Sequence, residues 1–238
     1  EQTLLPEQLE EVTNYMSTNF IAIHNLVPNC PLGIPVSVPA LGFRGSQPHI
    51  YDLVRTLVIS LAYSHSPRNL HIGVVTDRPQ QWDWLKWLPS AINITSPDHD
   101  THFYWGSMRE ACRDLGNMQD YLNRANSHMV VVVDLPDHAV YVPDDITRGV
   151  VEHEGLRIMN STTFLVAGAT DDKKITQPSH RIHVSDTGDV SVPGGINMAH
   201  ADNTSIEVAD NVARALSRFR PEGFGTTPSG DGDEVEVS

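Results

Sequence analysis

The stretch LGFRGSQPHIYDLVRTLV, from Leu41 onward, sets two glycines and a hydroxyl residue ahead of an apolar repeat. Such an arrangement could hold phosphate. That chemistry needs the pattern G-x-x-x-x-G-K-[ST], in which glycines let backbone N–H groups surround the phosphates, the lysine neutralises them and the hydroxyl holds Mg²⁺. Gly42, Gly45 and Ser46 are present, but Gln47 and Pro48 stand where the lysine and the second hydroxyl residue belong. Pro48 also removes one of the N–H groups that a helix N-terminus would offer to an anion. The nearby cations are Arg44 and Arg55. Further on, the run MVVVVD ends in Asp134, the position of a carboxylate that would hold Mg²⁺ through water. Leu135 and Pro136 follow, so there is no adjacent carboxylate to activate a water molecule. Without the lysine, the simpler reading of Asp134 is a strand-terminal residue capping its turn. A nucleotide site here would use Arg44, Gly45, Ser46, Arg55 and Asp134, with ATP and Mg²⁺ as ligands; the missing lysine argues for no cofactor and for no catalytic residue.

A second concentration of chemistry is WDWLKWLP, residues 82–89, which holds three of the four tryptophans in the chain. Read as a short helix, it puts Trp84, Leu88 and Trp87 on one face, with Asp83 and Lys86 outward, and Trp82 within cation–π reach of Lys86. The run either lids a sheet edge or presents Trp82, Trp84 and Trp87 as a docking patch, tryptophan being enriched at binding hot spots. Twelve histidines raise the question of a metal. His99 and His102, framed by Asp98 and Asp100, lack a third ligand nearby, and His180 and His183 fall on opposite faces of a strand. No metal site is expected. G-x-S-x-G, HExxH and paired-carboxylate patterns are absent in any convincing context.

Strands and helices must position these groups. PHIYDLVRTLVISLAYSHSP carries Ile50, Leu53, Val54, Leu57, Val58, Leu61 and Ala62 at helical spacing, between Pro48 and Pro67. LHIGVVTD and HMVVVVD read as strands buried on both faces. Between them lie AINI and THFYWG, both read as strands. The helix over 107–126 follows, opened by Ser107 with Glu110 as a capping box. The order argues for an α/β fold with a mainly parallel sheet flanked by helices. Ile34–Val38, EGLRIMNS, TTFLVAGA and HRIHVSDTGDVSVPGG add short strands, making the C-terminal half strand-rich. The last helix is expected to be capped by Thr204 and Glu207, burying Ile206, Ala209, Ala213, Leu216 and Phe219. Residues 1–30 form a helical lead-in, 31–220 the main domain, and 221–238 a flexible acidic linker.

The chain has 238 residues, 39% hydrophobic and 19% charged, which is ordinary globular composition. Thirty acidic residues against 16 basic ones give a formal charge of −14, which repels a phosphate backbone and argues against nucleic acid. Cys30 and Cys112 have neither disulfide-scaffold nor zinc-site spacing and fit a reducing compartment. No apolar run is long enough to span a bilayer. A first residue of Glu1 fits a piece of a longer protein.

The block LVRTLVISLAYSHSPRNLHIGVVTD followed by WDWLKWLPS resembles a signature of EccC, the FtsK/SpoIIIE-type ATPase of actinobacterial type VII secretion. Ser90 departs from the usual histidine. Weaker matches run over residues 10–222, in TNFIAIHNLVPNCPLGIPVSV, HMVVVVD and MAHADNTSIEVADNVARALSRFRP. The matching part is the cytosolic domain between the membrane helices and the first ATPase domain. The resemblance implies a degenerate P-loop NTPase-like fold without a phosphate-binding loop, acting as a scaffold within an ATPase that hexamerises. It implies a place on the cytoplasmic side of the cell membrane, beside EccB, EccD and EccE, the adjacent ATPase domains and secreted substrate proteins. The alternatives are an atypical ATP/Mg²⁺-binding regulatory domain or a secretion-substrate receptor.

Overall fold

The computed structural model describes residues 40–93, 101–135, 161–168, 180–191 and 199–219, all within the compact unit Val36–Ser238. The expected helical lead-in over residues 1–30, the strand at Ile34–Val38, EGLRIMNS up to its last residue, the acidic linker, and Asp98, His99 and Asp100 lie outside the described residues.

Eight strands form one sheet in the order β3-β2-β4-β5-β1-β6-β7-β8. They are β1 (Ala40–Gly45), β2 (Leu70–Thr76), β3 (Tyr104–Trp105), β4 (His128–Asp134), β5 (Thr162–Ala167), β6 (His180–Val184), β7 (Asp189–Ser191) and β8 (Ala199–His200). From β3 to β6 every pairing is parallel, whereas β6–β7–β8 turn back antiparallel. All seven residues of β2 are buried, as are Met129 to Asp134 of β4. Continuous apolar runs produce this, because parallel strands are covered on both faces.

The first departure from the sequence reading is at β1. LGFRG, weighed above as a glycine pattern that could wrap phosphate, is strand: Leu41 and Phe43 are buried, and β1 pairs with β5 on one side and β6 on the other. Only Ser46 separates β1 from helix α1 (Gln47–Ser64). Gly45 makes the turn at φ 115°, and a Cβ there would lie 2.0 Å from the Val184 carbonyl oxygen. A strand bonded on both sides leaves no slack for a phosphate-wrapping loop.

Helix α1 buries Ile50, Leu53, Val54 and Val58 as its spacing predicts, and Arg55 with them; Leu57, Leu61 and Ala62 are half-buried. Helix α2 (Pro79–Trp82) runs into 3₁₀ turns at Asp83–Trp87 and Pro89–Ala91. Residues 91–93 of AINI thus form no strand, and of these only Ile92 makes an isolated bridge, to His102. Helix α3 (Met108–Ala125) starts at Ser107, whose hydroxyl accepts the Glu110 N–H, and ends on Asn126 in the left-handed region. Its face of Ala111, Leu115, Met118 and Leu122 covers Met129, Val131 and Val133 of β4.

Helix α4 (Ile206–Leu216) departs further. Its cap is Ser205, which accepts the Val208 N–H, while the Thr204 hydroxyl bonds Thr56 across 2.7 Å. Only Ala209 and Ala213 are buried; Ile206 is exposed and Phe219, past the helix end, is 71% exposed. Two alanines let the helix approach its neighbours closely, with Ile206 and Val208 outside and Leu216 half-buried. Among the described residues no helix is long and apolar enough to cross a membrane.

Candidate functional site

The carboxyl ends of the parallel strands β1, β2, β4, β5 and β6 share one edge of the sheet, the edge where open α/β folds bind ligands. Asp134 ends β4 there, 1% exposed and in register with Thr76 of β2. Its two oxygens are taken. Oδ1 accepts the Tyr51 hydroxyl at 3.0 Å. Oδ2 accepts the Trp82 indole N–H at 2.8 Å and, more weakly, the Thr76 hydroxyl at 3.4 Å. Arg78 stands at the mouth, its Nη1 donating to the Tyr51 oxygen at 2.5 Å and lying 3.6 Å from Oδ1. Burial raises the Tyr51 pKa, and the Asp134 charge adds to it; the hydrogen bond to Tyr51 holds the Arg78 pKa up. A carboxylate buried this deeply is retained because several donors replace its hydration.

The other predicted residues do not gather on Asp134. Arg55 is 5% exposed, bonded through Nη1 to Asp52 and through Nη2 to Gln81, each at 2.7 Å. Its guanidinium lies 5.7 Å from the centre of the Tyr51 ring. Burial lowers its pKa against the opposing pull of Asp52. Arg44 is half-buried in mid-sheet, in register with His183. Ser46 caps the strand–helix junction, its N–H bonded to the Val184 carbonyl at 3.0 Å. Gly45 lies hard against that same carbonyl. Tyr51, Thr76, Arg78 and Gln81 were missed by sequence reasoning. Of the network only Asp134 was read from the sequence; Thr76 carried the same signal, since it ends the neighbouring buried run as Asp134 ends its own.

The tryptophan run forms the roof beside this network. Trp82 and Trp84 are 1% and 2% exposed, with ring centres 6.4 Å apart, and Leu88 is fully buried. Neither tryptophan offers a face to a partner. Trp84 donates to the Gln81 carbonyl at 3.1 Å. Asp83 and Lys86 are exposed and paired at 2.6 Å, and the Lys86 ammonium lies over Trp87, 5.5 Å from its centre, rather than over Trp82. The turn is 3₁₀, in which residues three apart eclipse, so Lys86 lines up with Asp83 rather than with Trp82. Trp87, half-buried, also takes the Arg214 guanidinium at 4.1 Å, pinning α4 to the roof. Among the described residues no three His, Cys, Asp or Glu side chains group as metal ligands.

No family model matches the chain. EccC4 of the ESX-4 secretion system of Mycobacterium tuberculosis (strain ATCC 25618 / H37Rv) is 31% identical over 147 residues, 60% of this chain and 11% of that protein. The ESX secretion system protein EccC of Thermomonospora curvata is 34% identical over 95 residues, 39% of this chain and 7% of that protein. The chain therefore spans about a tenth of the length of these relatives. Among solved structures, T. curvata EccC comprising ATPases 2 and 3, in complex with a signal sequence peptide, aligns with TM-score 0.54 at 13% identity. That alignment covers 79% of this chain and 43% of the other. The fold is P-loop NTPase-like, a mostly parallel eight-stranded sheet with helices, and over the matched part the homologues of this chain are EccC proteins of type VII (ESX) secretion systems.

Proposed function

We propose that this chain is a non-catalytic, ATPase-like scaffold domain of a type VII secretion motor, linking a membrane part to the ATPase domains. The observation that carries the reading is the state of Asp134. A carboxylate serving Mg²⁺ must turn free lone pairs towards solvent or phosphate; here Tyr51, Trp82 and Thr76 direct donors at both oxygens. The carboxylate thereby anchors the roof to the sheet. The single-residue junction at Ser46 supports the same reading, since a phosphate-binding loop is absent between β1 and α1. On this reading the domain works through interfaces, transmitting or restraining movement at the cytoplasmic side of the membrane. Its partners are the neighbouring ATPase domains and the membrane components EccB, EccD and EccE.

Thermal unfolding with and without millimolar Mg-ATP tests this. A ligand at 100 times its dissociation constant adds about 2.7 kcal/mol, a shift of several degrees for a domain of this size. The expected result is an unchanged Tm; a reproducible rise of several degrees overturns the proposal in favour of a regulatory nucleotide site.

A further inference from the structure

Helices α3 and α4 are attached by different means. Helix α3 buries Met108, Ala111, Leu115, Met118, Gln119 and Leu122, whereas α4 buries Ala209 and Ala213, with Val212 and Leu216 half-buried. A buried alanine removes a single methyl group from water, so α4 gains less from burial than α3 does. Directed contacts supply the rest. The Arg214 guanidinium lies 4.1 Å from the centre of the Trp87 ring. The Thr56 hydroxyl of α1 lies 2.9 Å from the Asp202 carbonyl oxygen and 2.7 Å from the Thr204 hydroxyl. The chain reaches α4 through an exposed connection: Ala201 is fixed, its N–H on the Gly188 carbonyl at 2.9 Å, but Asp202, Asn203 and Ser205 are exposed.

We infer that α4 is a detachable latch, which leaves α1 and the tryptophan roof by turning about residues 202–205 while β1 to β6 stay paired. Regions with few buried apolar contacts open at a lower free energy than the whole domain. The remaining bonds of α4 are its own: Arg214 pairs with Asp210 at 2.6 Å, and Ser205 caps the Val208 N–H. A helix of 11 residues is marginal by itself, so α4 unwinds on release and its amides meet solvent. A partner that takes up the freed segment holds the latch open, by binding one of two forms better than the other. The inference deepens the scaffold reading by giving it a moving part, and rests on that reading for its use alone.

Hydrogen exchange of the full chain, followed by NMR without nucleotide, tests this. The amides of residues 210–216 in α4 are expected to be on the order of a hundredfold less protected than those of residues 129–134 in β4. Leu122→Ala, in the core on the α3 face, is expected to lower β4 protection about thirtyfold or more. It should leave α4 protection unchanged, because the latched and released forms both carry that loss. Should the variant not fold, low urea replaces it: β4 protection then falls steeply and α4 protection shallowly, each in proportion to the surface its opening exposes. Arg214→Ala is expected to lower α4 protection about fivefold to tenfold, for one lost cation–π contact. Equal protection of α4 and β4, a fall of both together in Leu122→Ala or in urea, or an unmoved α4 in Arg214→Ala overturns the inference. The Mg-ATP experiment decides the scaffold reading separately.

Discussion

The β2–β4 ladder has two faces, and they treat buried titratable groups in opposite ways. On the face under α1 and the tryptophan roof, Asp134 is surrounded by donors from Tyr51, Trp82 and Thr76. On the face under α3, His71 is just as deeply buried, at 1% exposure, yet its Nε2 has no partner and its ring neighbours are Phe103 and Tyr121. The first environment holds a charge by replacing water with fixed dipoles. The second holds a base by keeping it neutral: burial pushes the His71 pKa down to about 4. Five residues along a strand move a side chain from one face to the other, so a single strand pair carries both solutions. What differs is the partner set, not the depth.

The charged face should be the costlier to break. Asp134→Ala removes the acceptor shared by the Trp82 indole N–H and the Tyr51 and Thr76 hydroxyls. At roughly 1–3 kcal/mol for each buried donor left unpaired, a loss of about 4 kcal/mol is expected, read as a lower denaturation midpoint. Asp134→Ala combined with Trp82→Phe should then cost less than the sum of the two single changes, because the indole N–H is no longer stranded. Strict additivity would mean that the roof does not depend on the carboxylate.

On the neutral face the effect is a pH dependence. His71 binds its proton at about 4 when folded, against an ordinary value of 6.5. The unfolded chain thus binds more protons between these values, so stability is complete above pH 6.5 and falls as the pH drops towards 4. The loss approaches about 3 kcal/mol at pH 4 and about 2 kcal/mol at pH 5. Urea denaturation of the native chain and of His71→Phe at pH 7 and pH 5 isolates it: the native chain should lose about 2 kcal/mol relative to the variant at the lower pH. A constant difference would mean that His71 takes up its proton without penalty.

The ladder itself was legible before the structure. Four consecutive valines and an uncharged LHIGVVT can only be strands covered on both sides, and the alternating order fixed their parallel pairing. Asp134 was found for the same reason: it is the first charge after an apolar run. Its partners were not, because Tyr51 and Trp82 reach it from α1 and α2 across 83 and 52 residues of chain, and hydrogen-bond direction leaves no periodicity. The glycines before α1 misled differently. Gly42 and Gly45 suggested a loop, whereas the pairing of β1 with two neighbours decides the conformation; a glycine is also what a tight strand–helix junction needs at positive φ. Helix α4 shows the same limit, since the spacing predicts a buried stripe, whereas close alanine packing leaves Ile206 and Phe219 outside and Leu216 half-buried.

Between the two groups lies Gly73, on the same face as His71, and it separates packing from electrostatics. A Cβ there would come within 2.6 Å of the Trp105 ring, 2.8 Å of the Met129 methyl and 2.9 Å of the Phe103 Cβ. The methionine end can swing aside, but the tryptophan is 6% exposed and stacked on Phe103 at 5.9 Å, so it has little room to yield. Gly73→Ala should therefore cost about 2 kcal/mol, the middle of the range for overpacking a core. Because no ionisable group is touched, that cost should be equal at pH 7 and pH 5, with the denaturant slope unchanged. A cost that grows at low pH would show that the strained face opens water to His71, making packing and protonation one coupled property. A cost below ~0.5 kcal/mol, the range of an inconsequential surface change, would show that the α3 face is loose, and burial alone could then not hold His71 neutral.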